Sequence, residues 1–183
     1  MAARVPTMTC ERWRIACHES GHCVASLALG GRCLGLVLVD GGGICHNDEL
    51  LGNREAYAIA SGPSAEYLAE EFAAPDVNPE TKILTVDEVE LLPVFKTATW
   101  IACQLARTSD TRKHIDSDSR RIAEWAIGGH ESEPDTWAGR VAFAKQMAAE
   151  IVSRNADKIV RVASALFVAG SLSENEILEL LKG

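Results

Sequence analysis

Two histidines four residues apart are the residues of this sequence best suited to chemistry. His18 and His22 enclose Glu19, Ser20 and Gly21. On an α-helix, residues i and i+4 lie on one face about one turn apart, so both imidazoles can bind a single Zn²⁺. Glu19 would lie about 100° around the helix from His18, where it can reach a water activated by the metal without binding the metal itself. The spacing therefore predicts a zinc site in which Glu19 is the general base of a hydrolytic reaction.

A catalytic zinc usually has three protein ligands and one water, so the pattern requires a third ligand from elsewhere in the chain. No histidine follows at the metzincin spacing, because the next histidine after His22 is His46. Spacing alone leaves five candidates open, which are Glu66, Asp116, Asp118, His46 and His114.

The two histidines belong to the first predicted helix of the chain. We expect this helix to begin near Thr9, which can serve as N-cap, and to end at Gly30 and Gly31. An apolar run over 33–39, a glycine-rich turn at 41–43 and a return strand over 44–47 predict a β-hairpin beside it. The turn glycines would also let a peptide backbone approach closely, although a plain hairpin explains them equally well.

The remainder of the chain has the pattern of a helical protein. The predicted helices cover 54–72 with an interruption at 61–63, 86–107, 115–127, 136–156 with a continuation over 157–169, and 173–181. Ser173 and Glu176 form a capping box at the start of the last one. We therefore predict a mostly α (α+β) fold with a small sheet, in a single domain spanning 1–183 whose residues 1–8 are flexible.

Composition excludes some partners and favours one compartment. A net charge of −8 and a pI near 5.1 argue against non-specific binding to nucleic acid or to anionic lipid. No apolar stretch is long enough to span a bilayer, and we expect a cytoplasmic protein whose six cysteines are reduced. Cys17 and Cys23 lie next to the histidines, and we expect them to pack in the core. The alternative is that Cys17 supplies a further zinc ligand.

Four segments, in the same order, resemble the peptidase domain of the FtsH family. Residues 15–22, Ile-Ala-Cys-His-Glu-Ser-Gly-His, resemble the family's zinc helix, I-A-x-H-E-x-G-H. Residues 60–68 resemble its next helix, L-x-G-R-A-A-E-E, and residues 117–124 resemble S-N-D-L-x-R-A-T-E. Residues 155–166 and 170–177 resemble its closing helices. The similarity extends over most of the chain, from about residue 9 to 181.

The resemblance implies a helical zincin-like metallopeptidase domain with Zn²⁺ bound by His18, His22 and Asp118. It implies hydrolysis of peptide bonds in a peptide or an unfolded protein, and assembly into a homo-oligomer, since the family forms hexameric rings. The family also carries membrane helices and an ATPase module, whereas this chain contains no Walker A sequence. We therefore expect ATP-independent activity from the chain alone, with a separate ATPase or adaptor as a partner. The long separation between Glu66 and Asp118 indicates an insertion over 73–115.

Several alternatives remain open at the level of sequence. Glu66 is either a zinc ligand or, as we favour, one of two other things: a hydrogen-bond acceptor that orients a ligand histidine, or simply an exposed residue. Asp116 is either a ligand or the N-cap of its helix, and His46 either contacts substrate or is a surface residue. The protein as a whole could instead be a regulatory or adaptor protein with a structural or vestigial metal site, or an amidohydrolase of smaller substrates. An intact Glu19 favours an enzyme, because a structural site does not need a general base.

Overall fold

The computed structural model describes residues 7–48, 50–76, 117–128 and 133–182. Several sequence predictions lie outside these residues, namely the helix over 86–107, most of the 73–115 insertion, and the positions of His114 and Asp116. The flexible segment predicted at 1–8 also lies mostly outside them, and the described chain begins in a helix at Thr7.

The described residues form seven helices and a three-stranded antiparallel sheet, which confirms the predicted mostly α (α+β) class. In chain order these are α1 (Thr7–Ala28), β1 (Arg32–Val39), β2 (Gly42–Asp48), α2 (Asn53–Ala65), α3 (Leu68–Glu71), α4 (Ser117–Ile127), α5 (Pro134–Arg154), α6 (Ala156–Ala169), β3 (Ser171–Ser173) and α7 (Glu174–Leu181). Within this part of the chain, no helix is both long and apolar enough to cross a membrane.

The sheet has the strand order β2-β1-β3. Strands β1 and β2 form the predicted hairpin, joined by Asp40 and Gly41, and the φ of 71° at Gly41 is one that glycine adopts without strain. Strand β3 pairs with the other side of β1, where Leu172 lies opposite Leu36. Among the described elements, β2 is therefore an edge strand, and it lies beside α1.

Helix α1 lies at the centre of the fold, with one of its faces buried in the main hydrophobic core. Trp13 and Cys17 are buried in the main hydrophobic core together with residues of α6 and the sheet. The Trp13 ring packs edge-on against Phe167 with 5.6 Å between ring centroids, and its Nε1 donates a hydrogen bond to the Phe72 carbonyl. Burial of this face fixes the rotation of α1, and the face that bears His18 is directed toward α2 and the segment that follows it.

Helices α1 and α2 approach closely at Gly21. A β-carbon at this position would lie 2.6 Å from both the Ser61 carbonyl oxygen and the Ala65 β-carbon, so only glycine permits the observed packing. Helix α2 continues through Pro63, which we expected to interrupt it, and ends at Ala65 before α3 begins. Because Pro63 lies near the end of α2, the hydrogen bond it removes is one of the last in the helix.

Helix α4 joins the site from a distant part of the sequence. Ile122 packs in a small apolar cluster with Ile59 and Ala60 of α2 and Ala148 of α5. The guanidinium of Arg140 on α5 also lies over the Trp125 ring of α4, 4.6 Å from its centroid. These contacts place the first turn of α4, which contains Asp118, against the histidines of α1.

Candidate metal centre

Three side-chain atoms from two distant segments converge on one point. The Nε2 atoms of His18 and His22 lie 3.1 Å apart, and the Oδ2 atom of Asp118 lies 2.9 Å from the first and 3.0 Å from the second. Among the described residues, these three form a group that could hold a metal ion. The structure thus brings together the two histidines of the sequence motif and the aspartate named by the resemblance.

Each imidazole forms a hydrogen bond through Nδ1, on the side away from the three converging atoms. These hydrogen bonds determine which ring nitrogen is available to bind a metal. The Nδ1 atom of His22 lies 2.9 Å from the Ala58 carbonyl oxygen, which can only accept, so Nδ1 carries the proton. In neutral His22 the Nε2 lone pair then points at Asp118. The Nδ1 atom of His18 likewise lies 2.8 Å from Glu66 Oε1. This is the usual arrangement around a metal-binding histidine, in which an outer acceptor orients the ring and makes the inner nitrogen a better ligand.

The spacing and chemistry of these three atoms fit a zinc ion. In a tetrahedral site with bonds of about 2.0–2.1 Å, the ligand atoms lie about 3.3 Å apart. The observed separations of 2.9–3.1 Å are a few tenths of an ångström shorter. Two imidazole nitrogens and one carboxylate oxygen are also donor types that zinc prefers, and three protein ligands leave a fourth position open for water or substrate.

The pKa values in the metal-free chain show how strongly the site attracts positive charge. Burial lowers the pKa of His18, but a hydrogen bond with Asp118 and the nearby carboxylates of Glu19 and Glu66 outweigh it and raise this pKa to about 9. For His22 as well, burial is outweighed, chiefly by Asp118, and its pKa is raised. Burial raises the pKa of Asp118, yet the hydrogen bonds from both histidines hold it well below its usual range. The same negative charges would attract a divalent cation.

Glu19 is buried beside the metal-capable group, with 7% of its surface exposed. Its side chain lies under Gly43 of β2, where a β-carbon would be 2.5 Å from Glu19 Cγ and 2.9 Å from Oε1. Gly43 therefore lets β2 approach α1 closely enough to cover the carboxylate. Glu19 follows His18 directly on α1, so the same helix carries both His18 and the buried carboxylate.

Glu66 lies on the outer side of His18 rather than among the converging atoms. Its Oε1 faces His18 Nδ1, and its Oε2 forms an ion pair with Arg14. Because Arg14 and His18 are four residues apart on α1, Glu66 contacts one face of that helix with both oxygens. This position is suited to orienting the imidazole, which is one of the two interpretations we favoured over a zinc ligand.

Other residues considered from the sequence lie away from the converging atoms. His46 is buried on β2 and is not one of the three grouped ligands. Cys17 is fully buried in the main core, and burial raises the pKa of its thiol to about 12, which opposes the thiolate form that binds zinc. Cys23 is also buried, and the structure describes both as free cysteines. Asp116 and His114 are outside the described residues.

Two residues of the site could not be identified from the motif alone. Gly62 on α2 lies directly against the His22 ring, and a β-carbon there would overlap with Cε1 and Nε2 of that ring. Ala58 contributes only its carbonyl oxygen, so its side chain carries no information about its role. The one visible indication of a close contact was that Gly62 lies inside the predicted helix over 54–72. Glycine weakens helices, so a glycine inside one often provides space for a neighbouring group.

We found no relative of this chain among protein-family models or curated proteins. No protein-family model matches the chain, and no curated protein matches it significantly. The resemblance to the FtsH peptidase domain therefore stays a prediction based on the four sequence segments.

Proposed function

We propose that this protein is a zinc-dependent peptidase. The observation that carries the proposal is the convergence of His18 Nε2, His22 Nε2 and Asp118 Oδ2 within 3.1 Å of one another, with the carboxylate of Glu19 buried beside them. In this proposal the first three residues hold Zn²⁺. When bound, zinc would lower the pKa of a water molecule and polarise the carbonyl group of the scissile bond.

The role of Glu19 follows from its type and position. A carboxylate can accept the proton of the attacking water and later donate it to the leaving amine, as a general base and then a general acid. Glu19 lies next to His18 in the chain and beneath Gly43, so neighbouring elements restrict its movement. Burial also removes bulk water from around the carboxylate, which strengthens its electrostatic interactions with reacting groups.

The outer edge of β2 supports a peptide as the substrate. Leu38 lies opposite Gly43, and the Leu38 amide donates to the Gly170 carbonyl at 2.7 Å, on the side of β1 away from β2. In an antiparallel pair, the backbone N–H and C=O groups of two opposite residues either point toward each other or point away from each other. Because those of Leu38 point away from β2, those of Gly43 point away from β1, outward from the sheet. An extended peptide that pairs with these groups would pass next to Glu19.

An open coordination position favours catalysis over a purely structural metal. A structural zinc site usually has four protein ligands. Among the described residues, the metal-capable group contains three, and Cys17, the alternative fourth ligand, is buried in the core. The regulatory or adaptor function is therefore less well supported by the geometry than hydrolysis.

The substrates and partners belong to the same proposal. We expect this chain by itself to cleave peptides and unfolded or exposed protein segments without ATP, because binding along β2 requires an extended strand. A separate ATPase or adaptor would be needed to present folded proteins, and a homo-oligomer is the assembly that the resemblance implies.

Elemental analysis of the purified protein tests the proposed ligand set. We expect about one zinc per chain in the wild type and a clear loss in Asp118→Ala. The matched control is Asp157→Ala, which removes an exposed aspartate from the first turn of another helix, α6. An equal zinc content in all three proteins would show that Asp118 is not a ligand. A wild type that stays free of zinc after resupply would rule out the site.

A further inference from the structure

A small cavity lies between the first half of α1 and the turn of the β-hairpin. Its volume is about 110 Å³, and most of its surface is apolar. Ile15 of α1 and Leu38 and Val39 of β1 provide the apolar side, while the backbone of Gly41 and Gly42 borders it on the hairpin. The residues proposed above for metal binding and proton transfer do not line this cavity.

The cavity lies directly beside the proposed reaction centre. Ile15 precedes Glu19 by one helical turn, and both side chains contact the same point of β2, because a β-carbon at Gly43 would lie 2.9 Å from Ile15 Cγ2 and 2.5 Å from Glu19 Cγ. One helical turn is about 5.4 Å, whereas two residues of an extended strand span about 6.8 Å. A peptide bound along β2 with its scissile bond at Glu19 would therefore place a side chain at the cavity within two residues of that bond.

We propose that this cavity is a subsite for one aliphatic side chain of the substrate, of about the size of leucine. This inference rests on the peptidase function proposed above. An apolar cavity of about 150 Å³ is known to hold a benzene molecule, so a volume of about 110 Å³ suits the branched four-carbon side chain of leucine better than the larger side chain of phenylalanine. Burial of a leucine side chain against Ile15 and Leu38 would supply the binding free energy.

Charged residues around the opening define what the cavity rejects. Glu11 and Asp40 are both exposed at its rim, so an acidic substrate side chain would be repelled. Arg12 also borders the cavity, but its Nη2 donates to the Phe167 carbonyl at 3.1 Å and its guanidinium lies over the Phe167 ring. These contacts hold the Arg12 guanidinium against Phe167.

A series of fluorogenic peptides tests the subsite. The peptides share one sequence, and each differs from it at one position. The varied position is one of the two residues before or the two residues after the scissile bond, and it carries Ala, Leu, Phe or Asp. At one of these positions we expect the zinc-loaded wild type to prefer Leu over Ala by about 10- to 100-fold in kcat/KM, and to disfavour Phe and Asp. Ile15→Ala enlarges the cavity and should reduce or invert the Leu-to-Phe ratio at that position only.

Matched variants separate this effect from a loss of stability. Leu27→Ala shortens another partly buried side chain of α1 that packs on the main core, and it should leave the Leu-to-Phe ratio unchanged. Val39→Ala, on the strand side of the cavity and partly exposed, is a second enlarging variant if Ile15→Ala does not fold.

Binding measurements distinguish failure of the subsite from failure of the peptidase function. The same peptides, labelled for fluorescence anisotropy, are titrated with zinc-loaded Glu19→Gln, with and without Ile15→Ala. If no peptide is cleaved, but peptides with Leu bind more tightly and Ile15→Ala removes this difference in affinity, the peptidase function would be refuted and the subsite retained. Cleavage with identical Leu-to-Phe ratios in wild type and Ile15→Ala would overturn the subsite alone. Absence of selectivity in both measurements would overturn it as well.

Discussion

Gly62 of α2 lies against the imidazole ring of His22, so close that a single methyl group would overlap with the ring atoms Cε1 and Nε2. The other ring nitrogen, Nδ1, donates a hydrogen bond to the Ala58 carbonyl on the same helix. Helix α2 therefore fixes both the position and the tautomer of one proposed ligand. Preorganisation of this kind reduces the cost of binding a metal.

Gly62→Ala should weaken zinc binding by about 10-fold or more, because the added methyl group displaces the His22 ring from its position. Competition with a chromophoric chelator measures the affinity. Gly139→Ala is the matched control, since a β-carbon at this helical glycine meets nothing within 4 Å, and it should leave zinc affinity unchanged while slightly stabilising α5. Equal affinities for the two variants would contradict the role assigned to Gly62.

Gly43→Ala should reduce kcat while zinc remains bound. The new β-carbon would lie 2.5 Å from Glu19 Cγ and would displace the proposed base, and a displacement of about 1 Å can lower the rate by about 100-fold. Gly139→Ala is again the control, because a β-carbon at this position meets nothing within 4 Å and Gly139 borders neither the proposed metal site nor the cavity. If both variants cleave a peptide as fast as the wild type, the close packing of Gly43 on Glu19 is not needed for catalysis.

Glu66→Ala should lower zinc affinity by about 10- to 100-fold without removing a direct ligand, since it deletes the acceptor that orients His18. Isothermal titration of the metal-free protein with zinc measures this change. Glu70→Ala removes an exposed carboxylate a few residues further along the chain and provides the comparison. A zinc affinity unaffected by Glu66→Ala would show that this hydrogen bond does not matter for the site.

The metal-free protein should become less stable as the pH rises from about 6.5 to about 9. The pKa of His18 in the folded chain, about 9, exceeds its ordinary value of 6.5, so the folded state holds the proton more tightly. This contribution to stability is complete below pH 6.5 and is lost as the pH passes through 9. Urea unfolding of chelator-treated protein at several pH values measures it, and His18→Asn should reduce the dependence in this range, with the remainder due to His22, whose pKa is also raised.

Zinc competes with the same proton, so zinc affinity should change in the opposite direction. Between pH 6.5 and 9 the apparent affinity should rise with pH, by up to about 10-fold per unit for each proton released. Asp118 is already ionised throughout this range, because its pKa is held well below the usual value. A zinc affinity independent of pH would show that His18 does not bind the metal.

Local sequence patterns predicted the local parts of this fold. Helix α1 and the β-hairpin could be identified because hydrophobic periodicity and turn glycines act over a few neighbouring residues. The predicted N-cap at Thr9 was wrong, since α1 already begins at Thr7. The capping box at α7 is also confirmed, with Glu176 Oε2 accepting from the Ser173 amide at 2.8 Å. Strand β3 was missed, since three residues give no pattern and their pairing with β1 depends on contacts more than 130 residues away in the sequence.

The candidate site shows the same division between local and distant information. His18, Glu19 and His22 lie on one helix, so their relation followed from helix geometry. The approach of Asp118, 96 residues after His22, could not be derived from spacing and came only from the resemblance. The roles of Gly62 and Gly43 depend on close packing between elements, which a single sequence does not encode in a recognisable pattern.

The peptidase proposal can be tested by cleavage of an unfolded protein such as casein by wild type and by Glu19→Gln, with the zinc content of both samples measured. We expect about one zinc per chain in both proteins and a rate at least about 100-fold lower in Glu19→Gln, because proton transfer by the carboxylate is lost. Equal cleavage rates at equal zinc content would contradict the assignment of Glu19. Absence of cleavage by zinc-loaded wild type would contradict the peptidase function itself.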